Sequence, residues 1–230
     1  MALLLIRNDK NYKPWIEAIN KIDPDFPVFT PEKLKNKEEI TMILTWKAPK
    51  GSFEGFSNVK VIGSLGAGAD HLFEDPSLPK DIKMTRIVDE NLIGDMQEFV
   101  LAQVMNYIKN LNSYSNFQKE HQWNPVPYKR ARNVTVGIMG LGVLGEAVAQ
   151  TLHKNGFKLT GWANSKKDID GLASYVGDKE LDSFLATAEI LVCLLPLTEK
   201  TKDILNATLF NKLPENAYLI NVARGGHLVD

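Results

Sequence analysis

A single cysteine, Cys193, in 230 residues rules out any disulfide within the chain, and a reducing compartment suits such a sequence. No apolar run approaches the ~20 residues of a membrane span. The first such run, Ala2 to Ile6, is short and lacks a basic leader or cleavage site, so it reads as a strand rather than a signal peptide. A cytoplasmic location is expected. Net charge is almost absent: 27 Lys and Arg stand against 28 Asp and Glu, a balance of −1 that gives no reason to expect nucleic acid or a membrane as partner. Short-period repeats and low-complexity tracts are missing too, and no metal site is expected.

What the sequence does contain is an ordinary globular mixture, 44% hydrophobic and 24% charged, in a chain long enough for one large domain or two modest ones. Short apolar runs at 2–6, 40–45 and 59–62 are bounded by turn or polar residues, and a proline- and charge-rich segment separates the first two. A long helix is expected after Gly94, with Asp95 as cap and Glu98 at the capping-box position. Met96, Phe99, Val100, Val104, Tyr107, Ile108 and Leu111 then recur at helical spacing, a stripe suited to a core or to a subunit interface. From Asn133 onward, strands "NVTVGIM", "FKLTGWA", "EILVCLL" and "AYLINVA" alternate with helices expected at 142–155, 179–187 and 207–212. Apolar strands alternating with helices imply parallel sheets covered on both faces. The expected fold is therefore α/β: two doubly wound parallel-sheet domains, flavodoxin-like and Rossmann, dividing near 95/96.

The most specific chemical signal is "GLGVLG". Gly140, Gly142 and Gly145 form G-x-G-x-x-G directly after a strand and at the start of a helix. The first glycine permits the tight turn, the second lets backbone approach a pyrophosphate, and the third lets helix and strand pack closely. The helix N-terminus then offers N–H groups and partial positive charge to the phosphates. In NAD-binding versions an acidic residue about 20 positions on grips the ribose 2′-hydroxyl. Here position 164, 19 residues past Gly145, is asparagine, and Ser165, Lys166 and Lys167 follow before the first carboxylate, Asp168. That composition favours a 2′-phosphate, hence NADP(H) over NAD, although a solvated basic turn would read the same way.

Two further features are open from spacing alone. Gly66-Ala67-Gly68, after the strand "NVKVI", is either a nest of N–H groups for a small anion or a plain tight turn. Arg224, after the apolar run 217–223, is either a substrate ligand or a surface arginine.

Taken together, "GAGAD", "GLGVLG" and "PLTEKTKDILNATLFNKLPENAYLINVARGG" resemble the D-isomer-specific 2-hydroxyacid dehydrogenase family. "LTWKAP" and "DMQEFVLAQV" resemble its glyoxylate/hydroxypyruvate reductase A branch, and the resemblance runs through essentially the whole chain. It implies an NADPH-dependent oxidoreductase that reduces a small 2-oxo acid to the D-2-hydroxy acid. Arg224 matches the catalytic arginine, whose planar fork can bond a substrate carboxylate and carbonyl oxygen together. Ala67 and Gly68 match the carboxylate-binding loop, and Trp46 matches an active-site tryptophan, with a core tryptophan as the alternative. Leu144, Leu195, Pro196 and Val222 join Gly140, Gly142, Gly145, Asn164, Ser165 and Lys166 as implied cofactor contacts. Thr201 matches a motif position without a defined contact. Both glycine loops and Arg224 are expected at one cleft. By the same resemblance the family's proton-donating histidine and its glutamate fall past residue 230, so the second domain is expected to be incomplete here. The 230-residue polypeptide alone is expected to have little activity. His71, His121, His153 and His227 read as packing or surface residues. Similar proteins pair through the 95–118 region, which implies a homodimer. The competing functional reading is a non-catalytic dinucleotide-binding sensor or scaffold.

Overall fold

The computed structural model describes residues 1–229. By internal contacts it divides into Met1–Asp89 and Glu90–Asp230. The first unit is a five-stranded sheet of strands β1 (Ala2–Arg7), β2 (Val28–Phe29), β3 (Ile40–Trp46), β4 (Val61–Ser64) and β5 (Lys83–Arg86), with helices α1 (Lys13–Ile22) and α2 (Asp70–Phe73). All pairings are parallel, in the order β2-β1-β3-β4-β5. This is the flavodoxin-like order, whose direction reverses between β1 and β3. Leu4 and Ile6 of β1, Ile40 and Ile43 of β3, Ile62 of β4, Phe53 and Leu72 form its core.

The second unit begins with helix α3 (Glu90–Ile108), followed by α4 (Leu111–Lys119). Helix α3 starts earlier than the capping pattern at Gly94-Asp95 suggests, and both residues lie inside it. A side chain at Gly94 would meet nothing within 4 Å. The glycine therefore only weakens the helix locally, and Val100, Val104 and Ile108, packed with Val148 and Leu152 in the core, hold it in place.

After α4 come β6 (Thr135–Met139), α5 (Val143–Lys154), β7 (Lys158–Ala163), β8 (Leu172–Val176), α6 (Gly177–Leu185), β9 (Ile190–Cys193), α7 (Ala207–Phe210) and β10 (Tyr218–Asn221). The sheet order is β10-β9-β6-β7-β8, all parallel. It matches five consecutive strands of the Rossmann order, and its direction reverses between β6 and β9. Alternation along β9 accounts for burial on both faces. Ile190 and Val192 join the α3–α5 side of the core, whereas Leu191 and Cys193 join Phe184, Leu185 and Leu209 on the other. Burial pushes the Cys193 thiol up from its usual range, so it stays a neutral packing group. No helix among the described residues is long and apolar enough to cross a membrane.

Candidate active site

In the second unit the site is built where β6 ends. Gly140 has φ +98°, a conformation that disfavours a side chain, and its N–H donates to Trp162 O at 2.9 Å. A Cβ there would sit 2.9 Å from the carbonyl carbon and oxygen of Leu194, so the turn after β6 lies directly against the chain leaving β9. The two loops thus meet at the reversal of strand order, where open α/β sheets bind ligands. Gly145 is buried in the first turn of α5, and a Cβ on it would be 1.9 Å from Gly140 O. Gly142 differs: it is the N-cap residue of α5, exposed, and a Cβ there would meet nothing within 4 Å. The three glycines therefore provide a tight turn, a close helix packing and an open approach to a helix N-terminus that no side chain caps. Leu144 is half-buried beside them.

The neighbouring loops lie on the same sheet edge. Asn164, Ser165 and Lys166 follow the last residue of β7 and are exposed, while Lys167 N–H is tied to Ser174 Oγ at 3.1 Å. After β9, Leu195 is buried and Pro196 exposed. Thr201, whose role sequence left undefined, donates its hydroxyl to Pro196 O at 2.6 Å and accepts from Thr198 N–H at 2.9 Å, which closes this loop. Val222, just past β10, is half-buried and donates its N–H to Cys193 O at 3.3 Å.

Arg224 stands three residues beyond β10, exposed. Its carbonyl accepts from Asn221 Nδ2 at 2.9 Å, and its Nη1 donates to Ala223 O at 2.9 Å. The turn that follows, Gly225–His227, is anchored by His227. This histidine is fully buried, with Nδ1 2.8 Å from Thr201 O and Nε2 3.0 Å from Leu195 O. His227 thereby ties the Arg224 turn to the Leu195–Thr201 loop, a packing role that no local sequence pattern signals. Residues expected to contact a dinucleotide and the candidate arginine thus occupy one edge of one sheet.

In the first unit, Trp46 ends β3 and the glycine loop follows the adjacent β4. The indole lies on Gly66, where a Cβ would be 2.1 Å from Cζ3, and meets the His71 ring edge-on at 5.4 Å. Gly66 is thus a packing requirement of Trp46, and the structure brings Trp46 onto the Ala67–Gly68 loop. Two residues that sequence reasoning passed over brace that loop. Ser64, buried, donates Oγ to Gly68 O at 2.6 Å and accepts from Gly66 N–H at 3.2 Å. Arg86, at the end of β5, places Nη1 3.4 Å from Ala67 O and 3.3 Å from Ile87 O.

Comparison with known proteins agrees with this architecture. Residues 101–230 match the family described as D-isomer specific 2-hydroxyacid dehydrogenase, NAD binding domain. Glyoxylate/hydroxypyruvate reductase A of Serratia proteamaculans is 38% identical over 192 residues, covering 81% of this chain and 61% of the relative. The chain therefore spans about three fifths of that protein's length. The protein of that name from Escherichia fergusonii is 34% identical over 221 residues, 94% of this chain and 70% of the relative. Among solved structures, a D-isomer specific 2-hydroxyacid dehydrogenase from Xanthobacter autotrophicus, in complex with NADPH and MES, superposes with a TM-score of 0.91 at 34% identity, over 99% of this chain and 73% of that one. The NADPH-dependent glyoxylate/hydroxypyruvate reductase of Sinorhizobium meliloti, with NADP and sulfate, gives 0.85 at 36% identity, over 99% and 74%.

Proposed function

The chain belongs to the D-isomer specific 2-hydroxyacid dehydrogenase family, and we propose that the protein uses NADPH to reduce a small 2-oxo acid, glyoxylate or hydroxypyruvate, to the D-2-hydroxy acid. The observation that carries this reading is the Gly140–Gly145 cradle at the reversal of strand order, with Arg224 on the same edge of the same sheet. The cradle fits a dinucleotide: Gly142 leaves open space before an uncapped helix N-terminus, and Gly140 lies against the loop that leads into Leu195. Gly142, Leu144 and the first N–H groups of α5 would hold the pyrophosphate. Asn164, Ser165 and Lys166 would hold the 2′-phosphate, since they are exposed at the end of β7 and no carboxylate intervenes before Asp168. Leu195, Pro196 and Val222 would border the nicotinamide. When bound, the cofactor supplies the hydride.

The chain's own residues supply binding and charge stabilisation. Ala67 and Gly68 offer N–H groups to the substrate carboxylate, with Trp46 covering the loop. Arg224 bonds the carboxylate and the C2 oxygen, and its fixed charge stabilises that oxygen as negative charge develops. His227 does not donate the proton that completes the new hydroxyl, because both of its ring nitrogens face main-chain carbonyls in a fully buried site. The test is NADPH oxidation with glyoxylate by the full-length protein and by its Arg224→Ala variant. The variant is expected to lose about 3 kcal/mol of transition-state stabilisation, a hundredfold or more in kcat/KM, as when an oxyanion donor is removed. Near-normal kcat/KM in that variant would remove Arg224 from the reaction.

The protein is further assigned as a homodimer in the cytoplasm. Phe99 and Leu111, about half exposed at 51% and 52%, and Trp123 at 95% give the α3–α4 region apolar surface suited to a second copy. A monomer in sedimentation at micromolar concentration would refute the dimer.

A further inference from the structure

We infer that Arg86 is a positioning residue for the substrate carboxylate, acting through the peptide between Ala67 and Gly68; this rests on the reading of that loop as the carboxylate site. In a trans peptide the carbonyl and the following N–H point in opposite directions. Three consecutive carbonyls of the loop are each held. Gly66 O accepts from Ile87 N–H at 3.1 Å, Ala67 O faces the Arg86 guanidinium at 3.4 Å, and Gly68 O accepts from Ser64 Oγ at 2.6 Å. The first two holds come from the end of β5, so the N–H groups of Ala67 and Gly68 both turn away from β5. Neither donates to an acceptor among the described residues. Successive N–H groups presented on one side are what distinguishes an anion nest from a plain turn.

The hold on the middle peptide differs from the other two. Ile87 acts through backbone and would hold Gly66 whatever its side chain. Ser64 is buried and also receives Gly66 N–H, so it is part of the loop's own fold. Arg86 reaches in from an exposed strand with Nη1 shared between Ala67 O and Ile87 O, and supplies a hold that only its side chain provides. Its charge also polarises the Ala67–Gly68 peptide, making the Gly68 N–H a better donor to a carboxylate on the opposite side. Removing the guanidinium frees that peptide to rotate and leaves the rest of the fold in place.

Two measurements on the full-length protein and its Arg86→Gln and Arg86→Lys variants test this. In NADPH oxidation with glyoxylate, Arg86→Gln is expected to raise KM about tenfold, the scale of losing one hydrogen bond to a charged group, with kcat changed less than KM. NADPH affinity, set in the other unit, is expected to stay constant, and Arg86→Lys is expected to recover part of the loss. In amide NMR spectra titrated with oxamate, the Ala67 and Gly68 signals are expected to shift in the wild type and to require about tenfold more oxamate in Arg86→Gln. An unchanged oxamate titration in Arg86→Gln overturns the inference, as does a parallel loss of NADPH affinity and melting temperature. Absence of any glyoxylate reduction by the wild type counts against the proposed function instead, and the oxamate titration still decides the role of Arg86.

Discussion

Two glycines three residues apart in one turn make opposite predictions when each is replaced by alanine. At Gly142, φ is −82° and ψ −165°, an extended conformation that alanine adopts, and the added Cβ meets nothing within 4 Å. Folding should therefore be unharmed, and loss of unfolded-state freedom should favour the variant by about 0.4–1 kcal/mol. The same methyl group would occupy the space through which a pyrophosphate approaches the backbone. If that contact is overpacked at the usual cost of ~1–3 kcal/mol, NADPH affinity falls roughly 5- to 150-fold. At Gly145 the Cβ would sit 1.9 Å from Gly140 O, a backbone atom that cannot rotate away. Helix α5 must then move off β6, at a cost of about 3 kcal/mol or more. For a chain of this size that is a fall of about 6–12 °C in Tm. Thermal melting and NADPH titration by calorimetry separate the two. Gly142→Ala should melt at or above the wild type and bind NADPH poorly; Gly145→Ala should melt early. Unchanged NADPH affinity in Gly142→Ala would refute the assignment of that open space to the cofactor. Early melting of Gly142→Ala would refute the steric reasoning itself.

Asn164→Asp should lower the kcat/KM ratio of NADPH over NADH about tenfold or more, because a carboxylate repels a 2′-phosphate and accepts a hydrogen bond from a 2′-hydroxyl; an unchanged ratio in steady-state kinetics would place 2′ recognition elsewhere. Asp75 should make the first unit acid-sensitive. Burial alone would raise its carboxyl, but Ser77 Oγ at 2.7 Å and the N–H groups of Gly51 and Ser77 outweigh this and hold it below its ordinary value. A depressed folded-state value contributes stability that is present above the unfolded-state value and is lost as pH falls through the folded one. Asp75→Asn should cost about 1.5–3 kcal/mol near neutral pH in chemical denaturation, and the difference from wild type should shrink on acidification; a difference independent of pH would refute the ionic role.

The parts of this protein that were legible in the sequence are those where local pattern and final environment agree. Strands β6, β7 and β9 lie inside the second unit's sheet and are largely buried, so continuous apolar runs mark them; β10, at the edge, carries an apolar run around the buried Ile220, and the glycine spacing follows from steric needs that any such turn shares. Two other edge strands show no such signal. Lys83–Arg86 is exposed at all four positions and Leu172–Val176 at one, with the other four only half-buried, so neither shows the alternation or apolar run that marks a strand. Helix Lys13–Ile22 was hidden for another reason. Pro14 lies in its first turn, where a missing N–H costs nothing, yet in sequence it merges with the prolines that follow. At Gly94–Asp95 the local cap was overruled by the packing of Val100, Val104 and Ile108.

The candidate site divides along the same physical line. Residues that would meet a ligand directly, such as Gly142, Lys166 and Arg224, carry their chemistry in their own side chains or in the lack of one, and a sequence displays that. Residues that act by holding someone else's carbonyl do not. Ser64, Arg86, Thr201 and His227 each bind a main-chain oxygen from 4 to 32 residues away, and nothing in their identity or spacing announces the partner. Such residues fix which way a peptide faces, so they decide whether a glycine-rich stretch is a binding loop or merely a turn. The choice between those two readings of Gly66-Ala67-Gly68 was open on sequence because it depends on three carbonyl partners, two of which lie beyond the loop at the end of β5.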